Sequence, residues 1–280
     1  MPPHPLTLHQ ALTHAQHRGL PRQEANYLLQ ALLNVDRAWL IRHDDQALTP
    51  EQAARFEDWL AQRLDEVPLA YLSGEKEFHG LRLRVTRDTL IPRPDTELLV
   101  DWALEHLQAL PAQPRPRVVD LGTGSGAIAL AVAARHRAAE LHMVDRSAAA
   151  LAVAEDNARR LGLPVQAHLG SWFEPLRGLP PFDLVLSNPP YVAGQDPHLA
   201  ALRHEPRGAL TPEGDGLADL QQLVREAPAR LKPGGWLLLE HGWDQAEAVR
   251  ALLCEQGYQA VETRRDLGDQ PRASGGRWPG

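Results

Sequence analysis

The run Pro181–Tyr191 (PFDLVLSNPPY) carries an apolar strand into Asn188-Pro189-Pro190-Tyr191. Two prolines fix φ and remove two backbone donors, which leaves carbonyl oxygens free to face a ligand. The Asn188 side-chain oxygen and the Pro189 carbonyl can together accept both hydrogens of one NH2 group, and Tyr191 offers a flat face on which a planar group can stack. An amide nitrogen needs such a device, because its lone pair is delocalised and it is a poor nucleophile. Two acceptors placed out of the amide plane favour a pyramidal nitrogen and stabilise the positive charge that develops as a methyl group arrives. A Pro-Pro pair after a strand can also be a mere loop terminator, so the tetrapeptide draws its weight from what stands upstream.

Upstream is VVDLGTGSGAIAL, an apolar strand followed by Gly122, Thr123, Gly124, Ser125 and Gly126 and then a helical pattern. Glycines at alternate positions let the chain turn sharply and let a ligand touch the backbone. A dinucleotide site would show a GxGxxG spacing, with helix N–H groups facing a pyrophosphate. Here the spacing is GxGxG, and Asp120 stands two residues before the first glycine. A carboxylate there disfavours an anion and suits a cationic sulfonium ligand with an amino group. Asp145 ends the next strand (LHMVD), about 20 residues on, where a carboxylate can accept both ribose hydroxyls of an adenosine; it can equally be a helix cap. The loop alone leaves NAD(P) open. The NPPY tetrapeptide at the end of a later strand turns the reading to methyl transfer onto a planar nitrogen.

The elements that must position these residues fall into two patterns. Residues 5–70 read as a small helical bundle, with Leu6, Leu8, Ala11 and Leu12 opening one helix and Glu24–Leu33 and Pro50–Leu64 following at three- and four-residue apolar spacing. Thr49-Pro50 is a good N-cap and first-turn pair. Between Glu77 and Ile91 the pattern changes to the alternation of a short β-hairpin. A helix is predicted over Asp95–Leu110, ended by the Pro-rich PAQPRP. From residue 117 strand and helix alternate, the mark of a parallel sheet covered on both faces. Predicted strands are Arg117–Leu121, Glu140–Asp145, Val165–Leu169, Phe182–Ser187 and Gly235–His241. Predicted helices are Ala127–Ala134, Ala148–Leu161, Gly216–Leu231 and Gln245–Gln256. A closing antiparallel hairpin is expected at Ala260–Asp266 and Gly276–Trp278. The resulting division is a helical unit at 1–75, a hairpin linker at 76–92 and an α/β domain at 93–280.

Composition narrows the partners. The 280 residues carry 29 Lys/Arg against 36 Asp/Glu, a net charge of −7. No stretch hides a basic domain: residues 1–75 hold six basic against ten acidic side chains, and residues 118–280 sixteen against twenty. A polynucleotide binder usually shows a basic face, so no direct nucleic-acid binding is expected. Cys254 is the only cysteine, which excludes cysteine zinc clusters and an intrachain disulfide, and no metal is expected. No apolar run reaches membrane-spanning length and no secretory signal opens the chain, so a cytoplasmic location is expected. No long exposed heptad suggests a coiled coil, and a monomer is the default.

On these motifs the chain resembles the release factor glutamine methyltransferases. The resemblance covers nearly the whole chain: LIPRPDTELLV (Leu90–Val100), DLGTGSGAIAL (Asp120–Leu130), SWF (Ser171–Phe173), LSNPPYV (Leu186–Val192), HEPRGAL (His204–Leu210), LLLEHGW (Leu237–Trp243) and the terminal RDLGDQPR…GRW. It implies a Rossmann-like, seven-stranded class I methyltransferase domain behind a small helical domain and a hairpin. It implies S-adenosylmethionine as cofactor, contacted by Gly122–Gly126, Asp145, Trp172 and Asn188. It also implies that Asn188–Tyr191 hold the glutamine of the Gly-Gly-Gln loop of peptide chain release factors. Arg93 and Glu97 lie in a segment that similar enzymes place near the cofactor. Trp172 can also be a hydrophobic plug, Glu97 a first-turn charge, and Glu205 a support of the active-site loop or a simple cap. The stretch Gly268–Gly276 departs from the resemblance, with Pro271 and small residues where a regular strand is expected. Competing readings are an N6-adenine DNA or RNA methyltransferase, a ribosomal-protein glutamine methyltransferase and a non-catalytic adaptor that docks release factors; the loop spacing and NPPY exclude an NAD-dependent dehydrogenase.

Overall fold

The computed structural model describes residues 6–111 and 114–280. The chain divides into two compact units, Met1–Glu75 and Lys76–Gly280.

The first unit is helical: α1 (Leu8–His17), α2 (Arg22–Leu33), α3 (Arg37–Arg42), α4 (Pro50–Leu64) and α5 (Leu69–Ser73). Thr7 and Thr49 each close a reciprocal capping box with a glutamine three residues on, which satisfies two otherwise orphaned donors at each helix start. Leu8, Ala11, Leu28, Leu29, Phe56 and Leu60 are wholly buried between the helices. The six-residue α3 and five-residue α5 are too short to show a period in the sequence. Asp36 starts α3 by accepting the Trp39 amide at 2.7 Å.

The second unit opens on a hairpin, β1 (Glu75–Phe78) and β2 (Leu81–Arg84), then a short 3-10 turn at Pro94–Thr96 and α6 (Glu97–Ala109). Of the Pro-rich stretch expected to end this helix, residues 112 and 113 lie outside the described residues. There follow β3 (Arg117–Leu121), α7 (Ala127–Arg135), β4 (Glu140–Asp145), α8 (Ala148–Leu161), β5 (Gln166–Leu169), β6 (Phe182–Ser187), α9 (Ala218–Glu226), β7 (Leu231–Glu240), α10 (Ala246–Gln256), β8 (Gln259–Arg265) and β9 (Pro271–Arg277). Among the described residues, seven strands form one sheet in the order β5-β4-β3-β6-β7-β9-β8, parallel except for β9, which runs antiparallel to both neighbours. Successive strand residues face opposite ways: Val118, Leu141 and Leu184 pack under α6, α7 and α8, while Val119, Val144 and Val185 pack under α9 and α10. Strands covered on both faces are buried along their whole length, as in β3, all of whose residues are buried, Arg117 and Asp120 included.

Two expectations are corrected. The helix expected to reach Leu231 stops at Glu226, because Pro228 cannot continue it; a 3-10 turn at Ala227–Ala229 follows, and β7 begins four residues before Gly235. The tail, expected to be irregular with a strand only at Gly276–Trp278, forms the full strand β9, and it lies inside the sheet between β7 and β8. Its small residues are a packing requirement. A Cβ on Gly275 would stand 2.6 Å from Leu238 Cδ2 and 2.9 Å from the Trp102 ring, and one on Gly276 would stand 2.9 Å from Tyr258 Cβ. Pro271 sits at the first position of the strand, where a missing donor costs least.

Candidate active site

Chain order reverses across β3: β4 and β5 lie on one side and β6 and β7 on the other, so a crevice opens beyond the carboxyl ends of these strands. Register sets what meets there. Leu121 pairs with both Val144 and Ser187, so the next residue of each chain segment, Gly122, Asp145 and Asn188, stands on one row, with Asp145 the last residue of β4. The Ser187 hydroxyl donates to the Leu121 carbonyl at 2.7 Å and ties the two exits together.

The glycine loop is held from beneath. The buried Asp120 accepts the Thr123 hydroxyl at 2.6 Å and the Ala129 amide at 3.3 Å through one oxygen. Its other oxygen is buried without a partner, and burial pushes the carboxyl up to about 7. Asp120 therefore shapes the loop from below and is not among the residues lining the pocket above it. Asp145 accepts the Gly124 amide at 2.9 Å through one oxygen and the Ser147 amide at 2.8 Å through the other. The helix cap is Ser147, whose side chain accepts the Ala150 amide, and that leaves Asp145 at the pocket wall. With the Gly124 amide committed to Asp145, the Gly122 and Thr123 amides to the Val144 carbonyl and the Gly126 amide to the Thr123 carbonyl, the turn offers a pyrophosphate little, which removes the physical basis for a dinucleotide. Gly124 meets no atom within 4 Å of where its Cβ would be, so a side chain there would stand in the pocket. The Ser125 carbonyl accepts from Asn157, a buried side chain that also makes a two-way bond to the Arg84 backbone of β2.

Trp172 closes the pocket over the first glycine. A Cβ on Gly122 would lie 3.3 Å from the indole, and Trp172 itself has φ of +46°, a left-handed backbone that a bulky residue adopts only when its surroundings impose it. Opposite stand Leu90 and the HEPRGAL segment, with Pro206, Gly208 and Ala209 in the wall. Arg146 donates to the Gly208 carbonyl at 2.8 Å.

Of the residues singled out from sequence, Gly122, Gly124, Asp145, Trp172 and Asn188 line this pocket, whereas Thr123, Ser125 and Gly126 support it from within the fold. Pro190 lines it too, and Pro189 and Tyr191 line a second, smaller cavity with Arg93, Leu202 and Leu210. Asn188 borders both cavities. Arg93 is thus on the second cavity, paired with the buried carboxylate of Glu205, whose other oxygen accepts the Ile91 amide at 3.1 Å. Glu97 borders neither cavity; it accepts the His79 amide at 2.9 Å and fastens the hairpin turn.

Behind NPPY lie residues that sequence reasoning did not single out. The Asn188 amide donates to the Thr96 hydroxyl at 3.2 Å, and the Tyr191 hydroxyl donates to Glu240 at 3.1 Å. Burial pushes the Tyr191 phenol above its ordinary range. The Tyr191 carbonyl accepts from Gln245 at 2.9 Å and lies 2.3 Å from where a Cβ on Gly216 would be, so the segment after NPPY must carry glycine there. Arg272, from β9, bonds to Asp266 and stands near Asp95, Tyr191 and Glu240. The sequence signals for Glu240 are a carboxylate ending the apolar run LLLE and its place in the LLLEHGW stretch of the resemblance.

Comparison with known proteins bears on what this geometry serves. The family model described as Methyltransferase small domain matches residues 100–217, and the one described as PrmC N-terminal domain matches residues 8–74. The release factor glutamine methyltransferase of Bordetella pertussis is 54% identical over 260 residues, covering 92% of this chain and 95% of its own. The protein of the same name from Escherichia coli is 42% identical over 274 residues, 97% of each chain. Among solved structures, a Pyrococcus furiosus methyltransferase superimposes with a TM-score of 0.53 at 17% identity over 79% of this chain and 98% of its own. The catalytic domain of human Mettl16, solved with an RNA hairpin, reaches 0.56 at 16% identity over 82% of each. These two share the fold.

Proposed function

The chain belongs to the release factor glutamine methyltransferase family, and from that premise we propose that it methylates the side-chain amide nitrogen of the glutamine in the Gly-Gly-Gln loop of peptide chain release factors. The observation that carries this reading is the position of Asn188 between two cavities, one built on the glycine loop and Asp145, the other on Pro189 and Tyr191.

The larger pocket fits S-adenosylmethionine. Asp145 keeps lone pairs on both oxygens for the ribose hydroxyls, Trp172 and Leu90 offer apolar walls to adenine, and the bare backbone at Gly124 leaves room that a side chain would fill. When bound, S-adenosylmethionine supplies an electrophilic methyl group on a cationic sulfur. The chain's own residues prepare the nucleophile. Asn188 spends its NH2 on Thr96, which turns its carbonyl oxygen toward the cavities. That oxygen and the Pro189 carbonyl accept the two hydrogens of the glutamine amide and hold its nitrogen pyramidal. They stabilise the charge that grows on nitrogen, and their effect is larger in the transition state than in the ground state. Tyr191, anchored through its hydroxyl to Glu240, presents its ring to the planar amide. No strong base is required, since an N-methylated, positively charged amide sheds its proton readily.

We assign residues 1–75 to docking the protein substrate, 76–92 to a linker and 93–280 to the chemistry, in a monomeric cytoplasmic enzyme. Mass spectrometry of a release factor incubated with the protein and S-adenosylmethionine tests the reading. One added methyl on the Gly-Gly-Gln glutamine is expected; an unmodified glutamine, or a methyl elsewhere, overturns it.

A further inference from the structure

A primary amide carries two N–H donors and a carbonyl oxygen with two lone pairs. Asn188 and Pro189 accept both hydrogens of the substrate glutamine, which leaves its oxygen without a partner. Enclosed without a donor, such an oxygen opposes binding. Few groups in the smaller cavity are free to supply one. Asn188 turns its NH2 to Thr96, and Tyr191 its hydroxyl to Glu240. Pro189 has no N–H. The amides of Val192, Leu202, Ala209 and Leu210 are already bonded to backbone carbonyls. Among the described residues that line this cavity, Arg93 is the one charged side chain. Its guanidinium has five N–H donors in a fixed fork, and among the described residues only Glu205 takes any of them. Glu205 is buried, and its other oxygen accepts the Ile91 amide at 3.1 Å. The carboxylate therefore holds the guanidinium at the cavity wall, with 35% of the Arg93 side chain left exposed.

We propose that Arg93 donates to the side-chain oxygen of the substrate glutamine and so makes the cavity selective for an amide. Acceptors then meet the nitrogen end and a donor meets the oxygen end. A carboxylate satisfies only Arg93 and confronts the two acceptors, while an apolar side chain satisfies neither. The bond serves binding and orientation. As the methyl group arrives, the nitrogen turns pyramidal and its lone pair leaves the carbonyl, so the oxygen loses negative charge. A hydrogen bond to that oxygen is no stronger in the transition state than in the ground state, and it holds the substrate without speeding the step. The inference rests on the glutamine-amide reading above and adds the group that reads the other end of the amide.

Steady-state kinetics on an intact release factor, with the full-length protein, give the first test. Arg93→Met should raise KM for the release factor roughly 10- to 100-fold, the effect of losing one hydrogen bond to a charged group. Its kcat should fall by no more than about threefold. Arg93→Lys, which keeps a charged donor, should recover part of the KM. The double variant Arg93→Met/Glu205→Gln leaves no buried charge unpaired and keeps an oxygen for the Ile91 amide, so its KM should rise as in Arg93→Met alone. Calorimetric binding gives the second test, with S-adenosylhomocysteine present because it has no methyl group to transfer. The release factor is used with its Gly-Gly-Gln glutamine intact or changed Gln→Leu. Arg93→Met should weaken binding of the intact factor by the same 10- to 100-fold and leave that of the Gln→Leu factor within about twofold of wild type. Equal weakening on both factors overturns the proposal, because a mere prop for the HEPRGAL segment acts on every substrate alike. An unmoved KM in Arg93→Met overturns it too, as does a KM rise that the double variant abolishes. A wild type that binds both factors equally overturns the glutamine reading itself, and the role of Arg93 with it.

Discussion

Replacing Asp145 by asparagine probes the cofactor end of the site at a single atom. One carboxylate oxygen accepts the Gly124 amide at 2.9 Å and the other accepts the Ser147 amide at 2.8 Å. Asparagine has nearly the same shape but only one acceptor oxygen, so its NH2 must confront one of those two N–H groups. Either orientation leaves a backbone donor unpaired at the pocket wall and removes the charge that strengthens bonds to the ribose hydroxyls. A hydrogen bond to a charged group contributes about 1.5–3 kcal/mol. Losing one such bond to the cofactor, with part of the loop's support, predicts an affinity loss of about 2–3 kcal/mol, or roughly 30- to 150-fold. Calorimetric titration with S-adenosylmethionine reads this directly. Turnover at saturating cofactor should stay within about fivefold of wild type, because the acceptors for the substrate amide are untouched. A dissociation constant within about twofold of wild type would refute the assignment of Asp145 to the ribose. A fall in turnover at unchanged affinity would refute the separation of the two ends of the site.

Other outcomes follow from the same geometry. Asn188→Ala should cut kcat roughly 100- to 1,000-fold, by analogy with the loss of one oxyanion-hole donor, while the melting temperature holds; wild-type turnover would reject the acceptor mechanism. Gly275→Ala places a methyl 2.8 Å from the Leu237 carbonyl as well as against Leu238 and Trp102. It should destabilise by about 2–3 kcal/mol, read as a lower urea midpoint, and an unchanged midpoint would show that β9 packs more loosely than described. Asp120 bears on pH dependence. Its folded pKa, about 7, lies above its ordinary value of 3.8, so its contribution to stability is fully present below the ordinary value and is lost as pH rises through about 7. One such group costs about 1.4 kcal/mol between about pH 6 and pH 8. Urea titrations of Asp120→Asn should show a pH slope shallower by that amount, and an equal slope would mean that Asp120 is ionised in the folded protein throughout. Deleting residues 1–75 should weaken methylation of an intact release factor more than that of a short Gly-Gly-Gln peptide, because remote contacts orient the reacting group. Equal losses on both substrates would count against a docking role.

What the sequence by itself determined was local. The strand-glycine-helix run at Val118–Leu130 and the strand that ends in NPPY are each contiguous, so backbone preference and apolar patterning define them without any partner. The strands and helices of the parallel half follow from the same periodicities, within a few residues. Tertiary structure decided what lies across the sheet from these motifs. Thr96 and Glu240, which reach the NPPY segment, come from α6's leading turn and from β7, and Arg272 comes from a strand inserted between β7 and the edge strand β8. Such contacts depend on register between distant strands, and no local pattern encodes register. The small residues of β9 look like irregular chain until Trp102 and Leu238 are packed against them; an absent side chain is a signal only when its neighbours are known. Arg93 and Glu97 make the same point. They are four residues apart in one segment, yet one faces Glu205 beside the second cavity and the other faces the hairpin, because the 3-10 turn between them redirects the chain before α6 begins.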